Sequence, residues 1–545
     1  AATLDLFARI RAGKVDHVTP TRTSGPTLSS GVTLGNEPRL SIGEDKAVVN
    51  TPVTPPPTPP VAPSPMPPAI RQNLPGQRTA FIGREAELAD ITRLLVEDED
   101  CRLLTLVGQG GMGKTRLALK AAEQLAALPA PHHPFADGVF FVALENVTEP
   151  NGLFTALTSV IFTEHGFPLH TNAPLGDQLV HFLRTKALLL VLDNFEHLTQ
   201  DAALLSDLLT AAPRLKVLVT SREALGVLVA WVYPLLGLSY PQIQTGNLTG
   251  LEQYDAVRLF VQCARRAQPT FVFENERGAV LHICTLVEGM PLGIELAAAW
   301  LRVMSCEQIA QEVAHGLDIL TTRYQNLPAR HRSMRAVLEH SWALLTADEQ
   351  EAIAQLAVFR GKFRQEAAGA ITGTSLLTLR TLVEKALLRV ISGGYYQMHE
   401  LTRQFAEEQI DGLRIITLRN AHATYYADLL NRHRPHLFTG VFRQVWAEVN
   451  GELDNIRLAW QWLIESARAG RNDLPLPTLL RPMTDVLTTY HIFHSLVVTG
   501  QALFDQACQI LEAAGWRNNP AAQDGQPSRS AALLKLQLST ARFQM

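Results

Sequence analysis

Cysteine is scarce in this chain, neither sign of charge is in excess and no long apolar run occurs, and each shortage removes a class of protein. The five cysteines among 545 residues, Cys101, Cys263, Cys284, Cys306 and Cys508, form no CxxC pair and no histidine spacing suited to zinc. That excludes a disulfide scaffold and a zinc module and fits a reducing compartment. No apolar run approaches the roughly 18 to 20 residues that a membrane span needs. The first residues lack the basic-then-apolar order of a secretory leader, so a cytoplasmic protein without membrane attachment is expected. A formal net charge of −4 offers no electrostatic reason for nucleic acid to be the main ligand. What is present is ordinary globular material, 46% hydrophobic and 18% charged, enough to build a core along most of the chain. At about 150 residues per domain, the length predicts three to four domains rather than one compact enzyme.

Proline is concentrated near the beginning. From Thr51 to Pro68 the prolines remove backbone donors and fix φ, so neither a helix interior nor a sheet ladder can form. Residues 1–75 therefore read as a semi-rigid, disordered linker. Leu4 to Lys14 reads either as the last helix of a preceding module or as part of a tail. The chain starts at Ala1, and its helical pattern is still running near Met545, so it reads as a piece of a longer protein.

From Phe81 onward short apolar runs alternate with amphipathic segments. Leu103–Val107, Val139–Leu144, Ala187–Leu192 and Val217–Thr220 are nearly continuous apolar stretches separated by helical patterns such as Leu117, Ala118, Ala121 and Leu125. Strands apolar on both sides need helices on both faces, which predicts a parallel α/β sheet over 76–240. Residues 241–330 are patterned as helices. Residues 331–412 begin with helices, include Thr346 and Glu349 at capping-box spacing, and close on two short strands around Gly393-Gly394, a helix-and-hairpin order that predicts a winged helix. Residues 413–545 are helical again. The fold class expected is thus multidomain, α/β followed by all-α.

Gly108-Gln109-Gly110-Gly111-Met112-Gly113-Lys114-Thr115 matches the phosphate-loop pattern in full and lies between a predicted strand and a predicted helix. Its glycines allow successive N–H groups to converge on phosphate oxygens at a helix mouth. Lys114 supplies charge for the β- and γ-phosphates, and Thr115 is placed to ligate Mg²⁺. Such a loop needs a carboxylate at the end of a neighbouring strand, and Asp193 closes the run Leu188–Leu192. Asn194 follows and cannot act as a base. Glu196 either orients an attacking water or stands exposed on the next helix. Arg222, after the strand Val217–Thr220, is positioned to sense a γ-phosphate.

With Phe81-Ile82-Gly83-Arg84-Glu85, the phosphate loop, Leu188–Leu198, Val217–Leu225, Gly289-Met290-Pro291-Leu292 and Met398-His399-Glu400 in that order, the chain resembles the STAND class of P-loop ATPases. Within it the NB-ARC group is the match, in its bacterial regulator branch with a winged helix and tetratricopeptide-like repeats. The resemblance implies ATP or ADP with Mg²⁺ as ligands. Phe81, Ile82, Gly83 and Arg84 would line the adenine side, while Gly108, Gly110, Gly111, Met112, Gly113, Lys114, Thr115 and Arg116 would hold the phosphates. Thr115 and Asp193 would serve the metal, Arg222 would be a sensor, and Pro291 in a helical lid would pack on the adenine. His399 would contact the ADP β-phosphate. Two departures stand out: Glu400 replaces the family's aspartate after the histidine, and Asn194 stands where many relatives carry an acid. The implied role is a nucleotide-operated signalling switch, at most a slow ATPase, with protein partners or self-assembly through the repeats and no membrane. DNA is implied only through other parts of a longer protein. The rival readings are direct DNA binding by the winged helix, for which Arg360, Lys362 and Arg364 are the basic residues, and a multiple-turnover metabolic ATPase.

Overall fold

The computed structural model describes residues 70–77, 79–129, 133–145, 147, 152–165, 175–241, 250–322, 332–437, 439, 442–494, 496–518 and 528–544. The helix expected over Leu4 to Lys14 and the proline-rich spacer lie outside them.

The α/β part opens with α1 (Glu85–Val96), whose Leu88, Ile91, Leu94 and Leu95 recur at helical spacing and are buried. It continues through β1 (Leu103–Val107), α2 (Lys114–Ala126), β2 (Gly138–Ala143), α3 (Gly152–His165), α4 (Leu175–Leu183), β3 (Leu188–Asp193), α5 (Ala202–Ala211), β4 (Lys216–Ser221) and β5 (Ala230–Pro234). All pairings in this sheet are parallel, in the order β2-β3-β4-β1-β5. Alternate residues of the central strands enter different cores. Leu104, Leu106, Leu189, Val191 and Leu218 share one cluster with α1, α2 and the following helices, while Leu103, Leu188, Leu190, Leu192, Val217 and Val219 share another with α3 to α5. This is why the strands read as unbroken apolar runs.

Two strands differ from the sequence reading. β5, half-exposed and rich in side chains with no amphipathic period, was not expected; it pairs with β1 and makes β1 interior. Asp193 was expected on a strand neighbouring the phosphate loop's strand, but β4 is inserted between β1 and β3. The neighbour's end therefore carries Ser221 and Arg222, and the carboxylate reaches the loop from one strand further away.

Helices α6 (Asp255–Ala267), α7 (Phe273–Leu286), α8 (Pro291–Ala298), α9 (Cys306–His315) and α10 (Met334–Ala343) follow. Their buried residues, among them Phe260, Ile283, Ile294, Ile309 and Val337, belong to the same core as one face of the parallel sheet. Next come α11 (Ala347–Leu356), β6 (Lys362–Arg364), α12 (Gln365–Thr372), α13 (Leu376–Glu384), β7 (Leu388–Ile391) and β8 (Tyr395–Met398). The Thr346/Glu349 capping box forms as its spacing predicts. β6, three residues long and too short to carry a period, completes a small antiparallel sheet in the order β6-β8-β7. Among the described residues seven α-helices follow: α14 (Glu400–Glu407), α15 (Gly412–His433), α16 (Phe442–Gly451), α17 (Leu453–Arg468), α18 (Leu476–Phe493), α19 (Val497–Ala513) and α20 (Arg529–Gln544). One core runs from Leu345 to Leu536 and passes residue 413 without interruption. All five cysteines are free. Among the described residues no helix is long and apolar enough to cross a membrane.

Candidate functional site

Strand register puts the chemistry in one place. Val107 is level with Ser221, and Leu192 with Val219, so Asp193 and Thr220 end at the same carboxyl edge of the sheet as the phosphate loop. Gly111 and Gly113 take left-handed conformations (φ 85° and 84°), which turn the loop sharply into α2 at Lys114.

At that edge one carboxylate gathers two hydroxyls. Thr115 Oγ1 donates to Asp193 Oδ1 at 2.7 Å and Thr220 Oγ1 to the same oxygen at 2.6 Å, while the Asn194 N–H donates to Thr220 Oγ1 at 3.0 Å. Asn194 itself is left-handed (φ 70°), so the chain leaves the strand end abruptly and Asp193 stays at the loop. Burial pushes the Asp193 carboxyl up, against the hydrogen bonds from Thr220 and Thr115 and the charge of Lys114, which pull it down. A hydroxyl and a carboxylate sharing one hydrogen bond beside a phosphate loop are hard oxygen donors of the kind Mg²⁺ takes. The residues fit that ion.

Lys114 folds over the loop, its Nζ donating to the Gly108 carbonyl at 2.6 Å and the Gln109 carbonyl at 3.0 Å. Although the residue as a whole is only partly buried, its ammonium end is enclosed. Burial brings it down to about 8, with Glu196 and Asp193 opposing the fall and Arg222 adding to it.

Glu196 is not exposed. It sits in a single helical turn after β3 and is buried, with Oε1 3.1 Å from Arg222 Nε. Arg222 is buried too, and its Nη1 donates to the Val337 carbonyl (3.2 Å) and to Ser341 Oγ (2.5 Å), both on α10. α10 also crowds the loop: a Cβ on Gly110 would lie 2.4 Å from Val337 Cγ1. The cavity beside Arg222, lined by Glu196, Ser341 and Leu345 among others, is about 20 Å³, room for a single water. Neither α10's approach nor Ser341 has any signature in the sequence; both follow from packing.

The lid-side residues reach the loop as well. Leu292 N–H donates to the Gly111 carbonyl at 3.2 Å, and Pro291 Cγ is 3.8 Å from where a Cβ on Gly113 would be. Arg84 (φ 69°) is buried; it donates to the Leu236 carbonyl (2.5 Å) and the Met112 carbonyl (3.5 Å) and pairs with Glu87. A Cβ on Gly83 would collide with Asp255 of α6. Arg116 donates to the carbonyls of Thr79 and Ala80, lies 6.0 Å from the Phe81 ring centroid and 3.6 Å from Glu295. Ile82 packs at the edge of the same core.

His399 makes no hydrogen bond to the loop among the described residues. Its Nδ1 accepts the Leu401 N–H at 3.2 Å and caps α14, and its Nε2 is buried, with the Val287 backbone contributing a hydrogen bond to the ring. Burial lowers its pKa, Glu288 and Glu400 oppose that, and Arg389 adds to it. The bond from α14 to the loop comes instead from Thr402 Oγ1 to Gln109 Oε1, 3.0 Å.

Similarity to known proteins runs along the same residues. A family described as an AAA domain matches residues 97–237, the sheet and its loop. A candidate HTH-type transcriptional regulator of Mycobacterium tuberculosis is 32% identical over 398 residues, 70% of this chain; the chain spans 42% of that relative's length. An uncharacterised protein of the same organism is 32% identical over 348 residues, 61% of this chain and 81% of its own length. A nucleotide-binding leucine-rich-repeat-like protein of Hyaloscypha variabilis is 38% identical over 76 residues, 13% of this chain and 7% of its own. Among solved structures, a STAND protein with a tetratricopeptide repeat sensor from Pyrococcus horikoshii aligns over 85% of this chain and 64% of its own, with 16% identity and a TM-score of 0.26. The complete phosphate loop, the Asp193 carboxylate brought to it by β3, and a relative matched over most of its length agree: the chain belongs to the STAND-class P-loop ATPases of the NB-ARC group.

Proposed function

We propose that this chain is a nucleotide-operated switch, in which ADP or ATP on the phosphate loop decides whether α10 and the segments after it stay packed on the parallel sheet. Residues 76–240 are the nucleotide-binding part, 241–330 the helical lid, 331–412 a winged helix used as a switch element, and 413–545 the start of a helical repeat. The loop amides and Lys114 would hold the phosphates, and Thr115 with Asp193 would hold Mg²⁺, which supplies positive charge to the β- and γ-oxygens when bound. Thr220 keeps the Asp193 carboxylate aimed at Thr115.

The observation that carries the proposal is the double commitment of Arg222. A sensor arginine at this strand end serves a γ-phosphate only if its fork is free to turn toward the loop. Here the fork is bound to Val337 and Ser341 of α10 and to Glu196. Removing a buried charge from such partners costs roughly 3–5 kcal/mol unless another partner replaces them, and a γ-phosphate is such a partner. A γ-phosphate would compete with α10 and Glu196 for the guanidinium, so the ligand would bias two arrangements by binding them unequally. Glu196, held by Arg222, would be kept from orienting an attacking water until α10 withdraws, and slow turnover rather than a metabolic rate is the expected outcome.

Direct DNA binding by the 331–412 module is disfavoured by the use its basic residues are put to. Arg360 pairs with Glu400 at 2.9 Å, and Lys362 and Arg364 lie 4.8 and 4.7 Å from the Tyr395 ring centroid. The transcriptional description of the mycobacterial relative applies to a protein of which this chain spans 42%, and we assign any such output, and any self-assembly on ATP, to the whole protein in the cytoplasm.

The deciding experiment is identification by mass of the nucleotide that co-purifies with the full chain, with particle size measured before and after ATP·Mg²⁺. ADP in a particle that changes size on exchange is expected. A chain that carries no nucleotide and binds no labelled ADP, with Lys114→Ala indistinguishable from the parent, contradicts the proposal.

A further inference from the structure

α7 ends at Leu286, and the chain enters α8 through two left-handed residues, Glu288 (φ 45°) and Gly289 (φ 67°). At Gly289 the reason is space: a Cβ would lie 2.1 Å from the Leu238 carbonyl oxygen, and Leu238 N–H donates to the Gly289 carbonyl at 2.8 Å. Glycine or asparagine is the usual occupant of a left-handed position after a helix. A glutamate there is strained, and such strain persists where the surroundings hold it in place.

Its carboxylate is what is held. Glu288 Oε1 accepts the Glu400 backbone N–H at 2.8 Å, the first amide of α14, where a helix presents free donors. Oε2 accepts Arg389 Nη2 on β7 at 3.2 Å. Arg389 is braced across the hairpin by Gln397 Oε1, 3.2 Å from its Nε and 2.9 Å from its Nη2. Glu288 is only 9% exposed, so these are charge-assisted bonds in a largely dry place. The end of this turn and the start of α8 touch the phosphate loop: Leu292 N–H bonds the Gly111 carbonyl, and Met290 Sδ lies 3.4 Å from the position of a Cβ on Gly111.

We infer that Glu288 is the positioning residue of the switch, a carboxylate latch through which the state of the phosphate loop holds α14 and the β7–β8 hairpin in place. This rests on the nucleotide reading proposed above. The loop fixes Leu292, the short turn fixes the Glu288 carboxylate, and the carboxylate fixes the start of α14 and Arg389. Coupling of this kind is reciprocal: a seated α14 slows the escape of the nucleotide from the loop.

The test measures release of fluorescently labelled ADP from the full chain by stopped flow. Glu288→Ala and Arg389→Ala are each expected to speed release by about tenfold, within the usual range of coupling between sites. Because Arg389→Ala removes one of the two bonds that Glu288→Ala removes, the double variant should be no faster than Glu288→Ala alone. Hydrogen exchange at the Glu400 amide, which Glu288 accepts directly, should rise in Glu288→Ala and to a smaller extent in Arg389→Ala. Arg389 is half-buried, less enclosed than Glu288, and its variant keeps the test open if Glu288→Ala folds poorly. Release at the parental rate in both single variants, with binding lost in Lys114→Ala, would overturn the latch and leave the nucleotide site standing. Effects that multiply in the double variant would overturn it equally. Failure of the parent to take up labelled ADP would remove the nucleotide reading, and the latch with it.

Discussion

Two buried polar clusters in this molecule look alike in composition and differ in duty. At the sheet edge, Asp193 accepts two threonine hydroxyls beside Lys114. In the carboxyl-terminal half, Glu452 accepts the Tyr426 hydroxyl at 2.9 Å, and Asn455, fully buried, accepts the Arg360 N–H and donates to the Lys362 carbonyl, each at 2.8 Å. His422 stands beside Asn455 at 3.3 Å, and burial drives it down to about 4. The first cluster sits at strand ends, with a cation and a glycine loop facing it. The second stitches α17 to β6 and α15, and every polar atom named there bonds to the protein's own parts.

This contrast has measurable consequences. Asp193→Ala removes the acceptor shared by Thr115 and Thr220 together with the metal carboxylate. At roughly 1.5–3 kcal/mol for each bond to a charged group, Mg²⁺-dependent ATP affinity should fall by about a hundredfold or more in calorimetric titration, while ADP binding without metal changes far less. Equal losses for both ligands would abolish the distinction.

Glu452 tests the other side. Burial raises its pKa to about 7 from the ordinary 4.5, so the folded chain keeps a proton that the unfolded chain releases. Stability from this group is complete below about pH 4.5 and lost as pH rises to 7. The difference of 2.5 units, at 1.36 kcal/mol each, amounts to about 3 kcal/mol. Glu452→Gln should remove that deficit, raising the denaturant midpoint at pH 8 far more than at pH 4, with nucleotide affinity unchanged. A pH-independent change would contradict the assignment.

Ser341→Ala takes away one of the bonds that hold Arg222 to α10. The ratio of ATP to ADP affinity should rise by about twelvefold, the lower end of the roughly 1.5–3 kcal/mol for a bond to a charged group; an unchanged ratio would separate Arg222 from the switch. The smallest effect concerns pH. Below about 8 Lys114 is charged, and above it the ammonium loses its proton in the free protein. Nucleotide favours the charged form, so binding should take up a proton there and weaken by at most about tenfold per unit. Calorimetry in buffers of different ionisation enthalpy reads this directly.

The first cluster was legible because its parts are local. A glycine loop between a strand and a helix, and a carboxylate ending an apolar strand, announce themselves by residue type and spacing, and register then brings them level. Glu196 was ambiguous because one residue of backbone direction after Asp193 decides between exposure and burial, and the left-handed Asn194 decided for burial. β5 and β6 escaped notice because one is an edge strand and the other three residues long. Glu288 and Ser341 carry no signal at all: a glutamate after a helix and a serine within one acquire partners only when distant elements pack on them.

The line between the two kinds of information follows range. Apolar periodicity, turn residues and the phosphate-loop spacing act within a dozen residues, and they determined the elements, the nucleotide motif and the carboxylate that serves it. Which strand lies between β1 and β3, which helix occupies Arg222, and which carboxylate holds α14 depend on contacts across more than a hundred residues. Those contacts form only when several apolar faces are buried at once, and they decide whether this loop merely binds a nucleotide or answers to it.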